Sequence, residues 1–235
     1  MKPLVLMPTY NEAETLENSV RELFSHNSEV NLLIIDDNSP DGTGAIADRL
    51  AHEDNRISVL HRHKKRGLGD AYVAGFNLGM QSSYTHFVEM DADGSHRAQD
   101  LAKLLESSQL ADLIIGSRWV AGGEVANWSP LRIAISRGGN KYAAWILRSK
   151  VRDLTSGFRI YSRGLLEKLP LENMQAHGYA FQVEMTMRSE ALGASISEVP
   201  IRFIEREGGK SKMSLWIVFE AFLLCTKWGF TEIRR

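Results

Sequence analysis

The most suggestive side chains in this sequence are two carboxylates one residue apart, Asp91-Ala92-Asp93, directly after the apolar run His86–Met90. Oxygen ligands on a turn at a strand end suit a hard divalent cation, Mg²⁺ or Mn²⁺, and leave coordination positions for phosphate oxygens. The triplet, followed by Gly94, also reads as an ordinary capped turn before the next helix. Two further strand ends carry polar groups. Ile34-Ile35-Asp36-Asp37-Asn38 closes an apolar run with acids able to accept from a base or a ribose, and Asp41-Gly42-Thr43 equally suits a turn and helix start. Pro8-Thr9-Tyr10-Asn11-Glu12 offers a ring for stacking and an acceptor carboxylate. Glu12 otherwise reads as a first-turn acid favoured by the helix dipole.

Bases are gathered elsewhere. His61-Arg62-His63-Lys64-Lys65-Arg66-Gly67-Leu68-Gly69 precedes a helix and could bind phosphate, or be a solvated basic loop. It is not a dinucleotide fingerprint, because Tyr72 stands where the third glycine would be. Between Glu124 and Asp153 there is no acid, but six bases: Arg132, Arg137, Lys141, Arg148, Lys150 and Arg152. Arg132, Ser136 and Arg137 lie about one helical turn apart and can converge on one anion. The whole stretch, interleaved with Tyr142, Trp145, Ile146 and Leu147, also suits an anionic bilayer or a solvated basic face. Arg206-Glu207-Gly208-Gly209-Lys210-Ser211-Lys212 reads as a glycine-bearing loop whose Arg206 and Lys212 could close over a diphosphate.

The elements that must position these groups follow from periodicity. Strands are expected at Leu4–Met7, Leu32–Asp36, Ile57–Leu60, His86–Met90 and Leu113–Gly116. Helices are expected at Glu12–Phe24, Thr43–His52, Gly69–Met80 and Ala98–Glu106, so the first half alternates as βαβ units around a mostly parallel sheet. Ligands then bind at the carboxyl ends of the strands, where the acids lie. In the second half, Ser129-Pro130 opens a helix reaching about Arg148, and Tyr179–Leu192 forms another. Ser195–Ile204, with Pro200, reads as an edge strand or extended segment, and Leu215–Thr231 as a helix. The 235 residues, 43% apolar and 24% charged, form one domain with an elaborated C-terminal third. A net charge of −1 excludes a globally basic nucleic-acid binder. Cys225, the one cysteine, excludes an internal disulfide framework and fits a reducing compartment. Nothing near the first residues resembles a secretory leader, and no window has the ~18 consecutive apolar residues of a spanning helix.

In combination these strings are more specific. Pro8–Glu12, Ile35–Thr43, Gly67–Tyr72 and Asp91–His96 together resemble the family 2 glycosyltransferases of GT-A fold. Gly116-Ser117-Arg118, Ser136–Asn140, Asp153–Arg159, Gly178–Gln182, Arg206 and Lys212-Met213 narrow the likeness to the polyprenol- and dolichol-phosphate mannose synthases, of the bacterial type with a separate catalytic chain. The resemblance covers nearly the full length. It implies an α/β, Rossmann-like GT-A fold with a mostly parallel central sheet flanked by helices. It divides the chain into a nucleotide-binding half, 1–120, and an acceptor-binding half, 121–235. It implies Pro8, Tyr10, Glu12, Ile35 and Asp37 around guanosine, with Asp91, Ala92 and Asp93 at the GDP diphosphate, Asp91 and Asp93 holding Mg²⁺ or Mn²⁺. Arg206 and Lys212 match positions that reach the donor phosphates. Arg118, Arg132 and Ser136 match positions that receive the lipid phosphate, Arg118 being grouped with Asp91 and Asp93 as catalytic. Asn38 stands where many relatives have glycine and tolerates positive φ. Ser95 stands where some relatives offer glutamine as a further metal ligand.

The implied reaction is inverting transfer of mannose from GDP-mannose to a polyprenyl monophosphate. Other readings are a polyprenyl-phosphate glucosyltransferase using UDP-glucose, a non-catalytic nucleotide-sugar-binding protein and a nucleotidyltransferase. In Leu215–Thr231 the polar residues Glu220, Lys227 and Thr231 form one narrow stripe on an otherwise apolar helix, expected at a membrane interface rather than wholly in a core. The expected location is therefore the cytoplasmic face of the membrane, peripherally attached, with room for a separate integral membrane partner and no nucleic acid.

Overall fold

The computed structural model describes residues 1–176, 178, 180–205 and 215–231, with 215–220 as backbone only. The first half alternates as β1 (Pro3–Thr9), α1 (Leu16–His26), β2 (Asn31–Asp36), α2 (Thr43–Glu53), β3 (Ile57–His61), α3 (Leu68–Gly79), β4 (His86–Glu89), α4 (Ala98–Ser107) and β5 (Leu113–Ser117). The second half adds β6 (Glu124–Ala126), α5 (Pro130–Leu147), β7 (Arg159–Ser162), the single turn α6 (Arg163–Leu166), α7 (Ala180–Ala191), β8 (Ile196–Pro200), β9 (Arg202–Ile204) and α8 (Leu215–Phe230).

The main sheet runs β3-β2-β1-β4-β7-β5-β8 and is parallel except for β7, which is antiparallel to both β4 and β5. Its central strands β1 and β2 are apolar on both faces because helices cover both faces. Leu4, Leu6, Leu33, Ile35, Phe87 and Tyr161 enter one core, against α3, α5, α7 and α8. Val5, Met7, Leu32, Ile34, Val88 and Ile160 enter the other, against α1, α2 and α4. The ends of β1, β2 and β4 therefore meet along one edge, with Thr9, Asp36 and Glu89 as their last residues.

Three expectations change. α1 starts at Leu16, not Glu12, because Asn11 adopts φ +58° and turns the chain; the Glu12 carbonyl accepts from the N–H groups of Thr15 and Leu16. β7 was not expected at all. The extended segment Ser195–Ile204 divides at Ile201: β8 is the sheet edge beside β5, whereas β9 leaves to pair with β6 in a separate two-stranded sheet. The helix from Ser129-Pro130 forms as expected, with the Ser129 hydroxyl accepting from the Arg132 N–H at 3.3 Å.

α8 packs on α5 and α7. Cys225 and Trp228 are buried, while Phe222, Leu223 and Phe230 are exposed, so the helix is shared between core and surface. Burial pushes the Cys225 thiol up to about 11. At Gly229 the two helices meet so closely that a Cβ would lie 2.6 Å from Ile146 Cγ1 and 3.0 Å from its carbonyl oxygen. Among the described residues, no helix is long and apolar enough to cross a membrane.

Asp112, just before β5, accepts from the Ser195 hydroxyl at 2.7 Å and the Ser195 N–H at 3.0 Å, tying the start of β8 to β5. Those hydrogen bonds hold its carboxyl below the ordinary value. The stabilisation is complete above the unfolded carboxylate range and is lost as pH falls through the lowered folded value. Asp112→Asn should cost about 1 kcal/mol at neutral pH, modest because the carboxylate is partly solvated. In urea titrations the gap from the unsubstituted chain should close in strong acid.

Candidate active site

Two cavities open at the carboxyl edge of the sheet and share Leu68, Asp91 and Asp93. The first, about 310 Å³, is lined by Pro8, Tyr10, Glu12, Asp37, Ala92 and Lys65 besides the shared residues. All but Pro8, near the end of β1, and Leu68, the first residue of α3, come from a loop following a strand or preceding a helix. Asn38 has φ +58°, the positive value foreseen for this glycine-like position. The hydroxyl of Thr43 receives the Glu12 N–H at 3.0 Å, while Asp41 receives the Thr43 hydroxyl at 2.6 Å, which ties the β1 loop to the start of α2. Lys65 Nζ sits 4.0 Å from the centre of the Tyr10 ring. Burial raises the Asp37 carboxyl, partly offset by Arg62, whose Nη1 lies 2.8 Å away in a contact not aligned as a hydrogen bond.

The second cavity, about 120 Å³, is lined by Arg118, Arg132, Trp128, Thr155, Gln182 and Glu205, with Ser95 and His96. Arg118 is almost fully buried; its Nε and Nη2 donate to the two carboxylate oxygens of Asp153 at 2.8 and 2.6 Å, and Nη2 also to Thr155 at 2.9 Å. The guanidinium is ringed by Trp119, Trp128 and Phe203, with centroids at 5.5, 5.6 and 5.5 Å. Arg132 lies 4.0 Å over the Trp128 ring and is ion-paired to Glu205. Both arginines thus sit beside aromatic rings while paired to a carboxylate, a combination of planar contact and forked hydrogen bonding that favours arginine over lysine.

His96 is a positioning group. Its Nδ1 accepts the Asp91 N–H at 3.0 Å, so the ring proton is on Nε2, and the ring stacks on Phe158 with centroids 4.8 Å apart. Burial pushes it down to about 4 and keeps it neutral. Below the acidic pair, Glu89 is wholly buried, accepts from Gln182 Nε2 at 2.8 Å, and is pushed up to about 8 by that burial, with Arg159 opposing.

Of the residues singled out from sequence, Pro8, Tyr10, Glu12, Asp37, Asp91, Ala92 and Asp93 converge on the first cavity, and Arg118 and Arg132 on the second. Two lie elsewhere. The Ile35 side chain belongs to the core, against Gly75, and Ser136 lies on α5 outside both cavities, its carbonyl accepting from Asn140. Arg206 and Lys212 fall outside the described residues. Thr155, Trp128, Gln182, Glu205 and the Arg118 partner Asp153 were given no role from sequence. Only the Asp153–Arg159 and Gly178–Gln182 strings hinted at three of them.

A divalent cation suits this donor set. The first cavity presents Glu12, Asp37, Asp91 and Asp93 against Lys65, so a diphosphate would enter a negative field unless a cation came with it. Ser95 adds a buried hydroxyl without a hydrogen-bond partner beside Asp93, whose Oδ1 accepts the Ser95 N–H at 3.0 Å. Among the described residues no three His, Cys, Asp or Glu side chains are grouped closely enough to hold a metal ion by themselves.

With this site at the strand ends of a parallel α/β sheet, the comparisons are specific: the chain belongs to the Glycosyl transferase family 2, whose model matches residues 4–170. The undecaprenyl-phosphate mannosyltransferase of Micrococcus luteus is 48% identical over 229 residues, 97% of this chain and 94% of that protein. The polyprenol monophosphomannose synthase of Mycolicibacterium smegmatis is 46% identical over 230 residues, covering 97% and 87%. Among solved structures, glucosyl-3-phosphoglycerate synthase from Mycobacterium tuberculosis with phosphoglyceric acid gives a TM-score of 0.69 at 20% identity, covering 96% of this chain and 80% of that one. The mannosyltransferase PcManGT from Pyrobaculum calidifontis, in complex with GDP-Man and Mn²⁺, gives 0.59 at 15% identity; this chain spans 89% of itself but 58% of that structure. These structural likenesses establish the GT-A fold.

The buried Arg118–Asp153 pair sets a clear expectation. Asp153→Ala leaves a buried guanidinium uncompensated and should cost about 3–5 kcal/mol. Asp153→Asn, which keeps the side-chain volume and one of the two acceptor oxygens facing Arg118, should cost less. Urea denaturation of both variants checks the order.

Proposed function

We propose that the chain transfers mannose from GDP-mannose to a polyprenyl monophosphate with inversion, giving β-mannosyl phosphoryl polyprenol and GDP. The observation that carries this reading is the junction of the two cavities. A sugar spanning Asp91 and Asp93 has a carboxylate-lined nucleotide side and an arginine-lined acceptor side. The names of the two bacterial relatives support a polyprenyl phosphate acceptor, and the GDP-Man and Mn²⁺ bound to PcManGT support the donor and a divalent ion.

Asp91 and Asp93 would hold Mg²⁺ or Mn²⁺, which neutralises charge on the departing diphosphate. Pro8, Tyr10, Glu12 and Asp37 enclose the nucleoside. Arg206 and Lys212 are assigned to the donor phosphates on family resemblance. Arg118 and Arg132 orient the acceptor phosphate, with Ser136 nearby on α5. An acceptor oxygen bonds to C1 as the C1–oxygen bond to GDP breaks, its electron pair leaving on the diphosphate. A phosphate monoester with a second pKa of ~6 is already largely dianionic at neutral pH, so no general base is needed. The environment of His96 agrees: neutral, stacked, and with Nδ1 occupied by a backbone N–H. In this reading residues 1–120 serve the nucleotide and 121–235 the acceptor, within one domain attached to the cytoplasmic face of the membrane.

The test is turnover by the purified full chain with Mg²⁺ or Mn²⁺, offering GDP-mannose or UDP-glucose with and without polyprenyl phosphate. Mannolipid should form only from GDP-mannose with acceptor present, and NMR should show the β anomer. Asp93→Ala should lower turnover about a thousandfold or more. An α product, preference for UDP-glucose, or nucleotide binding without transfer would each overturn the assignment.

A further inference from the structure

A third cavity, about 560 Å³, lies outside both site cavities, between α5 and the segment that follows it. Its wall includes Arg137, Lys141, Lys150 and Arg152 with Trp119, Asn140 and Ser149, and among the described residues no acidic side chain. Among the described residues none of these four cations forms an ion pair with an acid. The acids closest in the hydrogen-bond network are already engaged. Glu198 accepts the N–H groups of Arg152 and Asp153 at 2.9 Å each, and Glu190 accepts the Ser149 hydroxyl at 2.8 Å. The other base-rich cavity, around His61–Arg66, differs in having Asp70 and Glu172 in its wall. A concave site holding four positive charges without internal neutralisation is built for an anion.

The surroundings identify which anion. Trp145, one turn beyond Lys141 on α5, is 73% exposed, and Leu131 at the start of the helix is 70% exposed. On α8, Phe222 and Leu223 are half exposed and Phe230 is 80% exposed. The two helices are locked together: Tyr142 stacks on Phe222 at 4.4 Å, its hydroxyl is 2.6 Å from that of Thr226, and Gly229 lies against Ile146. Exposed aromatic and aliphatic side chains on a rigid helix pair, bordered by cations, match the interface of an anionic bilayer. A soluble anion would need the cations but not the apolar border.

We propose that the Arg137–Lys141–Lys150–Arg152 cavity is a headgroup site for an anionic phospholipid, distinct from the acceptor-phosphate site and docking the α5–α8 face on the membrane. This deepens the membrane reading given above, but its test contains neither sugar donor nor polyprenyl acceptor, so the two can fail separately.

The test is co-sedimentation of the full chain with vesicles of phosphatidylcholine alone, or of an equimolar mixture with phosphatidylglycerol. The unsubstituted chain should bind the mixed vesicles at least tenfold more tightly. The triple variant Lys141→Gln/Lys150→Gln/Arg152→Gln should lose roughly a hundredfold on mixed vesicles, the loss expected for three bases near an anionic surface. It should keep its circular dichroism spectrum. Lys64→Gln/Arg66→Gln, which removes surface charge from the other base-rich cavity, should bind nearly as the unsubstituted chain does. Equal binding to both vesicle types, undiminished binding by the triple variant, or an equal loss by Lys64→Gln/Arg66→Gln would overturn the proposal.

Discussion

The arrangement at the strand ends depends on one buried guanidinium. Arg159, wholly buried at the start of β7, donates to the carbonyl oxygens of Ser156, Leu154 and Gln182 and to the Thr186 hydroxyl, at 2.6, 2.7, 3.0 and 2.7 Å. The Ser156 and Leu154 carbonyl oxygens belong to the loop before β7, and the Gln182 carbonyl and Thr186 hydroxyl belong to α7. By collecting them, Arg159 fixes the loop before β7 to α7. That loop supplies Asp153 and Thr155 to Arg118, and Phe158 to the His96 ring. Because β7 lies between β4 and β5, the same residue stands between the strands that lead to the acidic pair and to Arg118.

Around that frame the charge is divided by side. Carboxylates dominate where the nucleotide is proposed to lie, and arginines, each already matched to a carboxylate, where the acceptor is proposed to lie. Neutral His96 separates the two in chemistry as well as position: it holds the Asp91 backbone and contributes no charge. Pre-set ion pairs of this kind orient side chains whose flexibility would otherwise have to be frozen on binding.

Much of this was legible before any coordinates. The five parallel strands of the first half are short runs rich in apolar residues and followed by polar or turn residues, so their existence and the edge they serve could be read from composition along the chain. β7 could not. It is four residues long, opens with an arginine, and is defined by its insertion between two strands far away in sequence. The division at Ile201 was hidden for a similar reason, since β8 and β9 form one continuous extended run and differ only in partner. On the site, residues that follow strands were found and those recruited across the fold were not. Asp153 meets Arg118 over 35 positions, and Gln182 meets Glu89 over 93. No local pattern encodes such pairings.

The contact between Arg132 and Glu205 has a kinetic meaning. An anion that takes the Nη1 edge of Arg132 arrives by exchange with the Glu205 carboxylate, whereas the Nε edge, without a hydrogen-bond partner among the described residues, is open to direct addition. Apparent affinity is then a difference between two ion pairs, which favours a dianion over the monoanion it displaces. In the proposed reaction the acceptor begins as a phosphomonoester carrying nearly two charges and ends as a phosphodiester carrying one. Its hold on Arg132 weakens just as the sugar is gained, and Glu205 can take the position back. In that scheme the carboxylate that competes with the acceptor for one edge of Arg132 competes more effectively with the product.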